Sequence, residues 1–179
     1  MNFSEALLSK AKKIQLINFD VDGVLTDGKI IYHSDGNEIK AFHVHDGAAI
    51  KLLMQYGLEI AVITGRSSEP VHRRVQELGI KHYYHGIKDK LTAFEDLKIK
   101  SGFKAEQIAH VGDDLPDLCL FREAGLAIGV PNGHPALIPD LDYTTQTAAG
   151  GGVAREIAEL LLKSRNVWES ITSPITNSK

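Results

Sequence analysis

The sequence predicts an α/β fold in which a parallel sheet is covered by helices on both faces. Short apolar runs recur at 16–19, 58–63, 80–84, 108–111 and 126–128, and stretches with helical apolar spacing separate them. Such alternation is the pattern of strand–helix–strand crossovers. Polar residues fall just after four of the runs: Asp20 and Asp22, Thr64 and Arg66, Lys90 a little further on, then Asp113, Asp114 and Asp117. Ligands of an open parallel sheet bind outside the carboxyl edge of its strands, so one edge of the sheet is the expected site.

Each element has its own signal. Phe3, Ala6, Leu7 and Ala11 space as a short amphipathic helix before the first strand. That strand ends in Asp20-Val-Asp22-Gly23, and Gly23 and Gly28 redirect the chain. Residues 29–44 read as a β-hairpin turning at Ser34-Asp35-Gly36-Asn37, with apolar residues on both faces. A lone ribbon is marginal in water, so it is expected to pack against something, another subunit included. His43 and His45 then fall on a strand; lacking a third soft ligand, they read as surface or interface histidines before metal ligands. Asp46 caps a helix running to Tyr56 and closed by Gly57. Strand 58–63 leads to Thr64-Gly65-Arg66, and Ser67 or Ser68 caps a helix with Pro70 in its first turn and Gly79 at its end. Strand 80–84, helix 90–101, strand 108–111, helix 115–124, strand 126–128 and a short strand at 142–144 follow. Gly150-Gly151-Gly152 precedes a last helix at 153–165, as a linker or as a loop over the substrate, and Arg155 shares its fate. The polar tail, about 166–179, is expected to be mobile.

Composition narrows the function. The 179 residues suit one domain, 1–179, with a substantial core. A net charge of −3 argues against a nucleic-acid surface. No apolar run approaches a membrane span, and residues 1–15 lack the apolar core of a signal peptide. The single cysteine, Cys119, excludes an internal disulfide, fits a reducing, cytoplasmic setting and sits in an apolar helical pattern as buried filler.

The clustered acids suit phosphoryl transfer. A carboxylate nucleophile, Asp20, must approach a phosphorus shielded by anionic oxygens, so cations and donors have to neutralise that shield. Magnesium, with its preference for oxygen ligands, suits Asp20, Asp22, Asp113 and Asp114. Asp22 is the candidate to protonate the leaving alkoxide and then to accept a proton from water. Thr64 offers a hydroxyl, Lys90 (in competition with Lys88) a point charge, and Asp117 a group that orients the loop.

The motifs Asp20-Val-Asp-Gly-Val-Leu-Thr-Asp-Gly28, Ile63-Thr-Gly-Arg66, Asp89-Lys90 and Gly112-Asp-Asp-Leu-Pro-Asp117, in that order, resemble those of the haloacid dehalogenase superfamily of phosphatases. The resemblance implies a Rossmann-like sheet and a magnesium-dependent reaction through an aspartyl-phosphate. Between Asp20, Thr64 and Lys90 there is no room for an inserted cap domain of ~50 residues, so a capless member is implied, with the hairpin in the cap position. The hairpin, Arg66 and the glycine run before Arg155 are similar to the phosphatases of 3-deoxy-D-manno-octulosonate 8-phosphate in lipopolysaccharide biosynthesis. That likeness implies a homotetramer, hairpins in a central barrel, sites near subunit interfaces that a neighbour's tail can cover, and Arg66 and Arg74 on the sugar-acid carboxylate, Thr64, Gly65 and Lys90 completing the substrate contacts. Ala149 departs from it, standing where a glycine is usual. A nine-carbon sugar-acid 9-phosphate is the alternative substrate. A phospho-receiver or a silent structural subunit are the rival roles.

Overall fold

The structure, a computed structural model, describes residues 1–176. Six parallel strands form one sheet in the order β5-β4-β1-β6-β7-β8. They are β1 (Leu16–Phe19), β4 (Glu59–Ile63), β5 (His82–Tyr84), β6 (Ile108–Gly112), β7 (Leu126–Gly129) and β8 (Tyr143–Thr144). The central position of β1, between β4 and β6, follows from its composition: all four of its residues are buried, as a strand covered on both faces requires.

Alternation sorts the two layers. Ile17, Phe19, Ile60, Val62, Ala109 and Val111 face the helices α1 (Glu5–Ala11), α2 (Val44–Gln55), α3 (Glu69–Leu78) and α6 (Val153–Ser164). Leu16, Ala61, Ile63 and Ile108 face α4 (Lys90–Ser101) and α5 (Leu118–Glu123). Side chains such as Phe19, Leu53 and Leu97 are wholly buried, each contributing about 1.5–3 kcal/mol relative to exposure. The ribbon of β2 (Ile31–Tyr32) and β3 (Glu38–Ile39) lies outside this sheet.

Several boundaries differ from expectation. The hairpin ladder is two residues per strand, and His43 and His45 stand at the start of α2 rather than on a strand. His43 is the cap, its Nδ1 accepting from the His45 N–H at 3.2 Å. Asp46, the expected cap, is buried within the first turn of α2, and its Oδ1 accepts instead from the Arg155 N–H at 3.2 Å. It thereby caps α6, whose own N-cap, Gly152, has no side chain to do so. Ser68 occupies the N-cap of α3 without a capping bond. The helix expected at 115–124 opens as a tight 3-10 turn, Leu115–Asp117, because Asp114 caps it and Pro116 sits in it. Cys119 is half-buried rather than buried: it packs at the edge of the core beneath α4 and α5, with its thiol turned to the Pro116 carbonyl.

The tail is also ordered where described. Asn166, in the left-handed region at φ 58°, turns the chain into α7 (Trp168–Thr176). Val167, Trp168 and Ile171 pack on the main core. The expectation of mobility for 177–179 lies outside the described residues. The glycine run is pinned, too: the Gly150 N–H donates to the Val24 carbonyl at 3.0 Å, and a Cβ on Gly150 would lie 2.6 Å from the Asp27 nitrogen.

Candidate active site

Strand β1 delivers Asp20 to the carboxyl edge, its N–H donating to the Val111 carbonyl at 2.9 Å. The next turn is broken helix, with Asp22 extended and Gly23 at φ +88°. A Cβ on Gly23 would fall 2.0 Å from Asp113 Oδ2, so only glycine lets the first loop approach the loop after β6. Thr64 leaves β4 with its N–H on the Tyr84 carbonyl at 2.9 Å. Lys90 is the first residue of α4, held in place by the cap from Asp89 to the Leu91 and Thr92 N–H groups.

These edges enclose a cleft of about 290 Å³. Asp20, Asp22, Thr64, Gly65, Arg66, Lys88, Lys90, Asp113, Asp114 and Asp117 all line it. Arg74 does not. Its guanidinium lies over Phe42, 5.9 Å from the ring centre, and pairs with Glu77 at 3.4 Å. It lines a neighbouring groove of about 800 Å³ between the hairpin and α3.

At the floor, Lys90 Nζ lies 3.0 Å from Asp20 Oδ2 and 2.6 Å from Asp117 Oδ1. Asp117 Oδ2 accepts from the Asp113 and Asp114 N–H groups at 3.2 and 3.4 Å, which fixes that loop. Burial pushes the Asp20 carboxyl up, against the pull of Lys90. For Lys90, the pairing with Asp20 and Asp117 outweighs burial and raises its pKa. Asp117 stays low because bonds from His110 and Lys90 overcome burial. Among the described residues no cation pairs with Asp113; burial and then the charges of Asp20, Asp117 and Asp114 push it up to about 7.

Oxygen atoms of Asp20, Asp113 and Asp117 lie within 4.8 Å of one another, the one such acidic group among the described residues. An all-oxygen donor set with an under-neutralised carboxylate fits a hard divalent cation. Because Asp117 already serves Lys90 and His110, Asp20 and Asp113 are the better placed holders. The Asp22 and Asp114 carboxylates stand outside the group: Asp114 accepts from the Leu115 N–H at 2.8 Å, and Asp22 turns toward Arg66 and Lys40.

Sequence reasoning passed over four residues here. Glu38 and Lys40, on and just after β3, reach Arg66 and Asp22 respectively. His110, wholly buried on β6, donates from Nε2 to Asp117 Oδ1 at 3.0 Å while its Nδ1 takes the Asn18 amide at 2.9 Å. The signal for His110 and Asn18 was their position, two polar residues inside strands otherwise apolar throughout.

Comparison with known proteins agrees with this geometry. Residues 84–157 match the family model of haloacid dehalogenase-like hydrolases. The chain is 45% identical over 159 residues to the 3-deoxy-D-manno-octulosonate 8-phosphate phosphatase KdsC of Escherichia coli (strain K12), covering 89% of this chain and 85% of that one. A crystal structure of the same phosphatase from Moraxella catarrhalis, in complex with magnesium ion, phosphate ion and KDO, superposes with a TM-score of 0.92 at 46% identity, covering 97% and 99%. The cobalt-bound form of the Haemophilus influenzae enzyme gives 0.87 at 37%, covering 93% and 99%. By its motifs, its sheet and these relatives, the chain belongs to the 3-deoxy-D-manno-octulosonate 8-phosphate phosphatase family of haloacid dehalogenase-like hydrolases.

Proposed function

We propose that the protein hydrolyses 3-deoxy-D-manno-octulosonate 8-phosphate to the free sugar acid and inorganic phosphate, with Asp20 as nucleophile and magnesium as cofactor. The observation that carries this reading is the buried Lys90 between Asp20 and Asp117, beside an Asp113 carboxyl that forms no ion pair among the described residues. Lys90 keeps one oxygen of Asp20 oriented and offsets charge as the phosphate enters. Asp20 attacks phosphorus, the phosphorus–alkoxide bond breaks, and Asp22 gives the departing oxygen its proton. Water then attacks the aspartyl-phosphate, Asp22 takes its proton, and phosphate leaves with Asp20 restored. Thr64, buried at the cleft wall, donates its hydroxyl to the phosphoryl oxygens. Asp20 and Asp113 would hold the magnesium ion, which when bound would supply the positive charge that an acidic site needs to accept a dianionic phosphate. The Gly65 backbone and Arg66 meet the sugar acid, Arg66 through its planar fork; Arg74 reaches it only from the adjoining groove.

The hairpin exposes Ile30, Ile31, Tyr32 and Ile39, each between 46% and 64% accessible. Contiguous exposed apolar surface of this kind marks an interface, and we infer a homotetramer assembled through it. A cytoplasmic location accords with the lone Cys119; no helix among the described residues is long and apolar enough to cross a membrane.

The test is phosphate release from 3-deoxy-D-manno-octulosonate 8-phosphate, a nine-carbon sugar-acid 9-phosphate, arabinose 5-phosphate and an aryl phosphate, with magnesium and with chelator. Strong preference for the first, abolished by chelator, is the expected result. Preference for the nine-carbon substrate transfers the same mechanism to that acid, and no release from any of the four refutes the phosphatase reading.

A further inference from the structure

We propose that Lys40 is a positioning residue for Asp22, making the hairpin a working part of the site; this rests on the acid–base role given to Asp22 above. Lysines on a small ribbon normally carry their ammonium to water. The reverse holds here. The Lys40 side chain is wholly buried while its ribbon neighbours Ile31 and Ile39 remain 47% and 46% exposed. Burial of that charge is sustained by two carboxylates, Asp22 in direct contact and Glu38 at 3.4 Å.

Arg66 closes the ring. Its Nη2 donates to Glu38 Oε1 at 2.8 Å, and its Nε lies 3.5 Å from Asp22 Oδ2. Each Asp22 oxygen therefore has its own cation, Oδ1 with Lys40 and Oδ2 with Arg66, and a turn of the carboxylate breaks both contacts. The two cations are not equivalent. The Arg66 side chain is 42% exposed and faces the cleft, so an incoming sugar-acid carboxylate competes with Asp22 and Glu38 for it. Lys40 borders the groove beside the hairpin, yet its side chain has no exposed surface, so it keeps its hold on Asp22 throughout. Glu38 balances Lys40 and holds Arg66 in reach while no substrate is present. Asp22 is in this way kept aimed by a residue from outside the four motifs.

The role is tested through the dependence on the leaving group. Loss of a poor alkoxide leaving group needs the proton from Asp22, whereas p-nitrophenolate leaves without one; both need Asp22 for the water step. Wild type, Lys40→Met, Lys40→Arg and Asp22→Asn are compared on 3-deoxy-D-manno-octulosonate 8-phosphate in steady state and on p-nitrophenyl phosphate by rapid mixing. Lys40→Met is expected to lower kcat on the sugar phosphate by about ten- to a hundredfold, with KM within about twofold. Its burst of p-nitrophenolate should persist, as in Asp22→Asn. Lys40→Arg, charged but too large for the same seat, should fall between wild type and Lys40→Met, and it carries the test alone if Lys40→Met does not fold. Equal losses in burst and sugar turnover, an unchanged kcat, or a raised KM with kcat intact would each overturn the proposal. An inactive wild type removes the phosphatase reading itself, and this inference with it.

Discussion

His110 shows how a single residue can serve the site from inside the sheet. Its partner in register across β1 and β6 is Asn18, and together they replace an aliphatic pair with a hydrogen-bonded chain that ends on Asp117. His110→Phe keeps the volume but leaves Asp117 and Asn18 short of a partner, so it should destabilise the fold by about 1–3 kcal/mol, read by denaturant unfolding. A change within a few tenths of a kcal/mol would mean that Asp117 is held by Lys90 and the loop alone. Asp113 gives a second prediction. Its carboxyl is pushed up to about 7 in the metal-free protein, so the folded state binds a proton there that the unfolded chain has lost. Stability from this group therefore declines as pH rises from the ordinary aspartate range through about 7. Magnesium, neutralising the carboxylate, should raise Tm more at pH above that range than below it, and an equal rise at both would contradict the sign. At this scale the sequence was most informative where types are chemically rare after a strand: Asp20, Thr64, Lys90 and Asp113 all line one cleft. Residue type did not separate Lys90 from Lys88; the Asp89-Lys90 motif favoured Lys90, and depth agrees. Lys90 is 6% exposed between two acids, while Lys88 lies at the exposed lining.

At the scale of elements, local chemistry announced the regular ones. Asp89, Gly79 and Gly102 bound helices where capping rules place them, and the Asp-Gly turn of the hairpin stands with Gly36 at φ +86°. What escaped is what depends on a neighbour. Asp46 caps α6 from α2, a contact across 109 positions of chain that no local pattern encodes. The helix α7 reads as a polar tail because, among the described side chains, Trp168 and Ile171 with Val167 just before them are what it sets on the core, enough only when α6 and the core already provide a seat. The loop before α6 is likewise organised by one buried acid, Glu156, which accepts from the Tyr143 hydroxyl at 2.5 Å and from the Gln146 and Thr147 N–H groups at 2.8 Å each. Burial alone would raise its pKa, but these bonds win and hold it below the ordinary glutamate range. A depressed carboxyl stabilises the fold above its unfolded pKa and loses that contribution as pH falls through the folded value. Glu156→Gln should cost about 1.5–3 kcal/mol at neutral pH, with the deficit shrinking in acid; a deficit independent of pH would assign the loss to packing instead.

For the whole molecule, the parallel sheet and its two helical layers were legible in the alternation of apolar runs with helical spacing, whereas the strand order is set by packing between distant elements. Assembly is the level at which a single chain is least explicit. The hairpin isoleucines Ile30, Ile31 and Ile39 remain exposed, and Arg74 sits in the groove between hairpin and α3, outside the catalytic cleft. A charge on the ribbon, Ile39→Glu, should reduce the native mass in light scattering and weaken turnover of the sugar acid more than that of an aryl phosphate; equal effects would place the whole site within one subunit. Beneath all of this lies the proposal that Asp20 carries the phosphoryl group. The direct measurement is intact-protein mass of Asp22→Asn after rapid quench from 3-deoxy-D-manno-octulosonate 8-phosphate and magnesium, followed by borohydride reduction and peptide mapping. One added phosphoryl group and homoserine at position 20 are expected. Turnover with no phosphoryl-enzyme, or a label on any other residue, would contradict the proposal.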